Sequence, residues 1–210
     1  MVDLKKAISG LIERSQSKRL ILGIAGPPGA GKSTLSAKLF AEIEQFQAGL
    51  AVVVPMDGFH LDNQTLSEIG LLPLKGVPET FDAAGFVDLL EKIRQASLDS
   101  NTAPIAAPVY DRSVEGTGSS PIFVRPEHQV VIVEGNYLLL EDDPWGKIKP
   151  ICDEIWYLDV PEAVLVPRLI ERHMAGGKNR TAAEEKVNST DLPNARLVAG
   201  SKHRADRVIR

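Results

Sequence analysis

The chain has 210 residues, of which 43% are hydrophobic and 25% charged, with a formal net charge of −4. That suits one domain, residues 1–210, with a substantial core, and the acidic balance excludes a general nucleic-acid binder, which carries a basic face. A lone cysteine, Cys152, excludes an intramolecular disulfide and a cysteine zinc cluster; no apolar run is long enough to enter a bilayer as a span, and the early charges of Met1–Ile8 are not a secretory signal, so a cytoplasmic location is expected.

Residues 2–17 have the helical period, with Leu4, Ile8, Leu11 and Ile12 on one face. Leu20–Ala25 is a short apolar run bounded like a buried strand. It leads into Gly26-Pro-Pro-Gly-Ala-Gly-Lys-Ser33, after which Leu35–Ile43 is again helical in period. Leu50–Met56 reads as a second buried strand, ending at Asp57-Gly-Phe-His60. A short helix is expected within Leu61–Leu72, a loop over Pro73–Thr80, and a helix from about Asp82, its N-cap, to Gln95. Residues 97–127 are rich in Ser, Pro, Gly and Asn and contain two short apolar stretches, Pro104–Tyr110 and Pro121–Val124, which predict a β-hairpin insertion at about 104–125.

Gln129–Glu134 is the strongest strand in the chain, and Glu154–Asp159 is another. A helix follows from Pro161, in its first turn, to about Ala175, and Gly176-Gly177 ends it. Residues 178–194 are polar and predict a helix and a loop; Ala205–Ile209 predicts a last short strand. Apolar strands alternating with helices give an α/β three-layer fold with a mainly parallel sheet, whose ligands collect at the carboxyl ends of the strands. Gly26–Ser33, Asp57–His60 and Glu134–Tyr137 all fall at such ends.

Gly26–Ser33 fits G-x-x-x-x-G-K-[ST] between a strand and a helix, the context the P-loop motif requires. Its glycines let backbone N–H groups close around phosphate oxygens, and the helix N-terminus adds unpaired N–H groups and partial positive charge. Gly26, Gly29, Ala30, Gly31, Lys32, Ser33 and Thr34 are therefore the candidate nucleotide contacts. Lys32 is expected to reach the β- and γ-phosphates, and the Ser33 hydroxyl to bind Mg²⁺.

Three classes of nucleotide protein remain to be separated. A regulatory GTPase needs a base-reading N-K-x-D, which is absent; Asp82-Ala-Ala-Gly85 and Asp143-Pro-Trp-Gly146 fit D-x-x-G, but neither directly follows a buried strand. A motor or regulatory ATPase couples hydrolysis to other domains or partners, and the chain shows no second domain. A small-molecule kinase needs a phosphate cradle, a carboxylate that accepts the acceptor's proton, and mobile positive charge. Asp57 is the candidate base. Glu134 is placed to hold Mg²⁺ through water, to bind substrate, or to cap the next turn. Arg168 and Arg172, four apart on one helix face, together with Gly176-Gly177 and Lys178-Asn-Arg180, suggest a lid over about 168–191.

Four further segments follow the P-loop in order: Val53-Val-Pro-Met-Asp-Gly-Phe-His60, Lys75-Gly-Val-Pro-Glu-Thr-Phe-Asp82, Pro108-Val-Tyr-Asp111 and Val131-Ile-Val-Glu-Gly-Asn-Tyr-Leu138. Together they resemble the uridine kinase, pantothenate kinase and phosphoribulokinase group of P-loop kinases, most closely the bacterial branch often called fructose transport system kinase. The resemblance runs from about Leu20 to Ile209. It implies a five-stranded parallel core with a helical lid, ATP and Mg²⁺, and phosphoryl transfer to a hydroxyl of a small-molecule acceptor.

In that family pattern Asp57 matches the proposed base, Arg168 and Arg172 match the lid cations, and Tyr110, Arg112 and Asn136 fall where acceptor contacts are expected. His60 and Tyr137 complete the candidate acceptor pocket. The chain departs from uridine kinases by reading Asp-Gly-Phe-His after the second strand, and from pantothenate kinases in length. The polar groups at Asp57, His60, Arg112 and Asn136, the 5% aromatic content with little to stack a base, and the resemblance together rank a fructose-like sugar first, ahead of a nucleoside or a pantothenate-like alcohol. A homodimer is compatible with the sequence.

Overall fold

The computed structural model describes residues 4–99, 101–111, 116–118 and 120–210. Helix α1 (Leu4–Ser15) precedes strand β1 (Leu20–Ala25), and the Gly26–Gly31 loop leads into α2 (Lys32–Phe46). Strand β2 (Ala51–Pro55) runs into a 3₁₀ turn, Met56–Phe59, and then into α3 (Asn63–Glu68) and α4 (Ala83–Gln95). The short helix expected within 61–72 is thus confined to 63–68, where the Asp62 side chain caps it by accepting from the Thr65 N–H. Asp82 caps α4 by accepting from Gly85 N–H at 2.9 Å, which accounts for the Asp82-Ala-Ala-Gly85 pattern.

The 104–125 region forms paired strands. Here β3 (Ile105–Ala107) pairs antiparallel with β6 (Ile122–Val124), and β4 (Tyr110–Asp111) with β5 (Gly116–Thr117). Then come β7 (Val130–Gly135), α5 (Ile148–Ile151), β8 (Glu154–Leu158), α6 (Glu162–Ala175), α7 (Arg180–Lys186), α8 (Leu192–Gly200) and β9 (Arg207–Ile209).

Two details differ from the sequence expectation. Pro161 sits before α6, as its N-cap residue, rather than in its first turn. Residues 178–194 contain no closing loop: α7 passes through a π-helical turn, Val187–Asp191, directly into α8. Pro193 follows the π-helical turn directly, at the start of α8, and the run continues through it.

The five-stranded sheet has the order β2-β7-β1-β8-β9, all parallel. Every position of β1 and β7 is buried, because helices cover both faces; that is why these strands read as unbroken apolar runs. Leu11, Leu39, Leu165 and Leu169 fill one layer, and Phe86, Leu90, Trp145 and Ile148 the other. Cys152 belongs to the second core, where burial pushes its thiol up to about 12. Register sets the site: Glu134 pairs with Ile24 on one side and Pro55 on the other. The carboxyl ends of β1, β7 and β2 are therefore level, and the segments leaving these three strands meet at one rim.

Candidate active site

The loop after β1 has the backbone its sequence requires. Gly29 (φ 76°) and Gly31 (φ 93°) are left-handed, a conformation costly for any residue with a Cβ. A Cβ at Gly29 would also lie 3.1 Å from Leu169 Cγ on α6. Gly31 supplies no side-chain cap to α2, so the first-turn N–H groups face the loop and are available to an anion. The residues present fit a polyphosphate.

Lys32 turns back over this loop. Its ammonium donates to Gly26 O and Pro27 O, each at 3.0 Å, and to Asn136 Oδ1 at 2.5 Å. Its pKa is lowered to about 8: burial is the largest cause and Arg172 adds to it, while the Asp57 and Glu134 carboxylates oppose the shift. Asn136, expected among the acceptor contacts, is here a partner of Lys32.

Glu134, next to last in β7, is buried, and its Oε2 has no hydrogen-bond partner among the described residues. Burial raises its pKa, and the Ser33 hydroxyl and Lys32 oppose the shift. A partnerless buried carboxylate oxygen beside a hydroxyl is a hard-oxygen pair that suits Mg²⁺, which takes one or two protein oxygens plus phosphates. No cluster of three or more His, Cys, Asp or Glu side chains able to hold a metal occurs among the described residues.

Asp57 stands at the end of β2 in the 3₁₀ turn and lines the same cavity as Lys32 and Glu134. That cavity has a volume of about 840 Å³. A neighbouring pocket of about 510 Å³, reaching Thr34 and Lys38, shares Gly29, Gly31, Thr34 and Arg168 with it. The turn is braced by the hairpin: a Cβ on Gly58 would collide with the Pro108 carbonyl oxygen. His60 Nδ1 is 2.8 Å from Asp57 O, and its ring packs on Phe81 (3.9 Å between centroids) and Tyr110 (4.7 Å).

Tyr137 does not join the pocket. Its ring is fully buried against Phe81 and Trp145, and its hydroxyl donates to Gly76 O, so it supports the wall from behind. Arg112 lies outside the described residues.

On α6, Arg168 and Arg172 are exposed side chains lining the cavity, and Arg168 Nη1 lies 3.4 Å from Gly29 O. Asn63, Lys75, His173, Lys186, Asp191 and Asn194 also line the cavity; none is named as a site residue from the sequence, although His173, Lys186 and Asp191 fall within the expected lid span and Lys75 within one of the resembling segments. His173 Nε2 bonds Asp191 Oδ2 at 2.6 Å, and Asn194 Nδ2 donates to Gly76 O at 3.0 Å. The π-helical turn that aims Asp191 inward has no sequence signature.

A parallel sheet with its phosphate loop at the central strand, a carboxylate beside it and cations above it define a P-loop phosphotransferase. No family model matches the chain. It is 36% identical over 194 residues to "Uncharacterized protein YggC" of Escherichia coli (strain K12), covering 91% of this chain and 78% of that one. To "Putative uridine kinase C227.14" of Schizosaccharomyces pombe it is 32% identical over 199 residues, covering 91% and 83%. The solved "putative fructose transport system kinase" of Silicibacter sp. TM1040 superposes with a TM-score of 0.88 at 38% identity over 100% of both chains. The chain belongs to the P-loop kinases of the uridine kinase, pantothenate kinase and phosphoribulokinase group, and is an ATP-dependent kinase. No described helix is long and apolar enough to cross a membrane.

Proposed function

We propose that this kinase moves the γ-phosphoryl group of ATP to a hydroxyl of a small polyhydroxylated acceptor, with a fructose-like sugar ranked first. The observation that carries the reading is Asp57 in one cavity with Lys32 and Glu134, next to a wall of polar side chains. Asp57 takes the proton of the acceptor hydroxyl as the oxygen attacks. Lys32, Arg168 and Arg172 balance charge on the transferring group. Ser33 and Glu134 would hold Mg²⁺, which supplies charge neutralisation of the phosphates when bound. Closure of 168–191 over the site would exclude water.

The ranking of sugar over nucleoside rests on the rings at the acceptor side. His60 packs on both Phe81 and Tyr110, and the Lys75 ammonium sits 5.3 Å over the Tyr110 ring. These rings are engaged with one another and with a cation, which leaves polar groups to read the acceptor. The name of the Silicibacter structure points the same way. The test is coupled ADP release with ketoses, aldoses, nucleosides and pantothenate, followed by mass detection of the product. A clear preference for uridine or cytidine would replace the sugar and keep the kinase. Hydrolysis that no acceptor stimulates would remove the transfer reading.

A further inference from the structure

The Lys32 ammonium is fully bonded by the protein itself. Its N–H groups meet three oxygens, Gly26 O and Pro27 O at 3.0 Å and Asn136 Oδ1 at 2.5 Å. To bond a β- or γ-phosphate oxygen, the lysine must give up one of them. The three partners are not alike. Gly26 and Pro27 offer backbone carbonyls of the phosphate loop. Gly26 is held closely against β8, where an added Cβ would lie 3.0 Å from Leu158 O. Asn136 offers a side-chain amide, which can leave by rotation alone.

The backbone that carries Asn136 is held on both sides. Before it, Gly135 packs so closely on Met56 that an added Cβ would lie 2.7 Å from Met56 Cβ. After it, the Tyr137 ring is buried against Phe81 and Trp145, and its hydroxyl donates to Gly76 O. Asn136 itself is half-buried and lines the cavity. A movable amide therefore stands on a rigid base, bonded to the lysine on which phosphate binding depends. The amide oxygen is neutral and phosphate oxygens are charged, so the phosphates are the stronger acceptors for an ammonium. When they take Lys32, the bond to Asn136 is lost, and nucleotide affinity is lowered by the strength of that bond.

We propose that Asn136 is a positioning residue that competes with the nucleotide for Lys32. It holds the ammonium before nucleotide binds, is displaced by the triphosphate, and retakes the lysine once the γ-phosphoryl group has gone, which hastens release of ADP. ADP keeps only one of the two phosphates that Lys32 reaches, so the contest is closer for the product than for ATP. The inference rests on nucleotide binding at Gly26–Ser33 and not on the identity of the acceptor.

The experiment uses the full chain and Mg-ADP. Calorimetry gives the affinity, and stopped-flow displacement of a fluorescent N-methylanthraniloyl ADP gives the dissociation rate. Asn136→Ala leaves Lys32 with one N–H free for phosphate, so Mg-ADP is expected to bind about threefold or more tightly and to leave correspondingly more slowly. Asn136→Asp keeps the shape and adds charge, so it should weaken binding about tenfold or more. In a Lys32→Ala background Asn136→Ala should have no effect, because the contested group is gone. Asn136→Ser, which also withdraws the amide, replaces the alanine variant if thermal melting shows that one unfolded. Binding that is weaker or unchanged with the amide removed overturns the proposal, since a merely structural residue or a direct nucleotide contact gives that result. So does binding that Asn136→Asp fails to weaken, or an alanine effect of the same size without Lys32. Affinities as expected, in a protein that phosphorylates no acceptor, would keep this inference and remove only the transfer reading.

Discussion

Nucleotide capture should weaken as pH rises through the titration of Lys32. Burial holds its ammonium, over the two loop carbonyls, in a place where its pKa is about 8, against an ordinary value of 10.5. Phosphate oxygens favour the charged form, so the bound-state pKa lies higher, and affinity is full below pH 8 and lost above it. With a pKa of about 8, roughly three-quarters of the lysine is charged at pH 7.5 and roughly a tenth at pH 9. Mg-ADP has fully ionised phosphates across that interval, so its affinity should fall about eightfold between the two values. Isothermal titration at constant ionic strength reads the change directly, with Lys32→Gln as the control, weaker throughout and nearly flat with pH. A flat profile in the wild type would refute the reasoning, and so would the same eightfold fall in the variant.

Asp57→Asn keeps size and loses the proton acceptor, so turnover should fall about a hundredfold or more while ATP affinity barely changes; a loss confined to ATP binding would move Asp57 to another role. Glu134→Gln should raise the Mg²⁺ concentration needed for half-maximal rate, and an unchanged Mg²⁺ titration would remove Glu134 from the metal site. Arg168→Ala with Arg172→Ala should slow catalysis and leave residues 178–190 open to protease when ATP is bound; wild-type protein cut equally with and without nucleotide would argue against a lid. Gly58→Ala forces a Cβ into the Pro108 carbonyl, so it should lower stability by about 1–3 kcal/mol and displace Asp57 with it; an unchanged melting temperature would show that the hairpin yields freely.

The parts of this protein legible in its sequence are those that local chemistry dictates. β1 and β7 announce themselves because strands covered on both faces need apolar side chains at every position. The Gly26–Ser33 loop is legible because left-handed backbone and helix-end geometry restrict which residues can stand there. Asp57 and Glu134 are legible through their places at strand ends, which the parallel topology brings to one rim. Tyr137 is not, because it adjoins Asn136 in sequence while alternation along the chain sends its ring into the core. The polar stretch 178–194 carries no sign of a continuous helix, since a π-helical turn follows from packing of α7 and α8 rather than from composition.

Acceptor specificity is built differently from phosphate binding. The phosphate end depends on consecutive residues whose backbone shape is the binding determinant, so almost any change there costs function. The proposed acceptor end draws on Asn63, Lys75, Lys186, Asp191 and Asn194, which line the cavity from helices and loops distant in sequence. Several of these side chains also hold that end together: Lys186 donates to Pro73 O and Lys75 O, Asn194 to Gly76 O, Lys75 to Asn63, and Asp191 bonds His173, so an exchange there is expected to alter the cavity's shape as well as its contacts. On the proposed transfer reading, acceptor choice is expected to follow exchanges at these distant positions, whereas exchanges in the Gly26–Ser33 loop are expected to abolish activity with every acceptor.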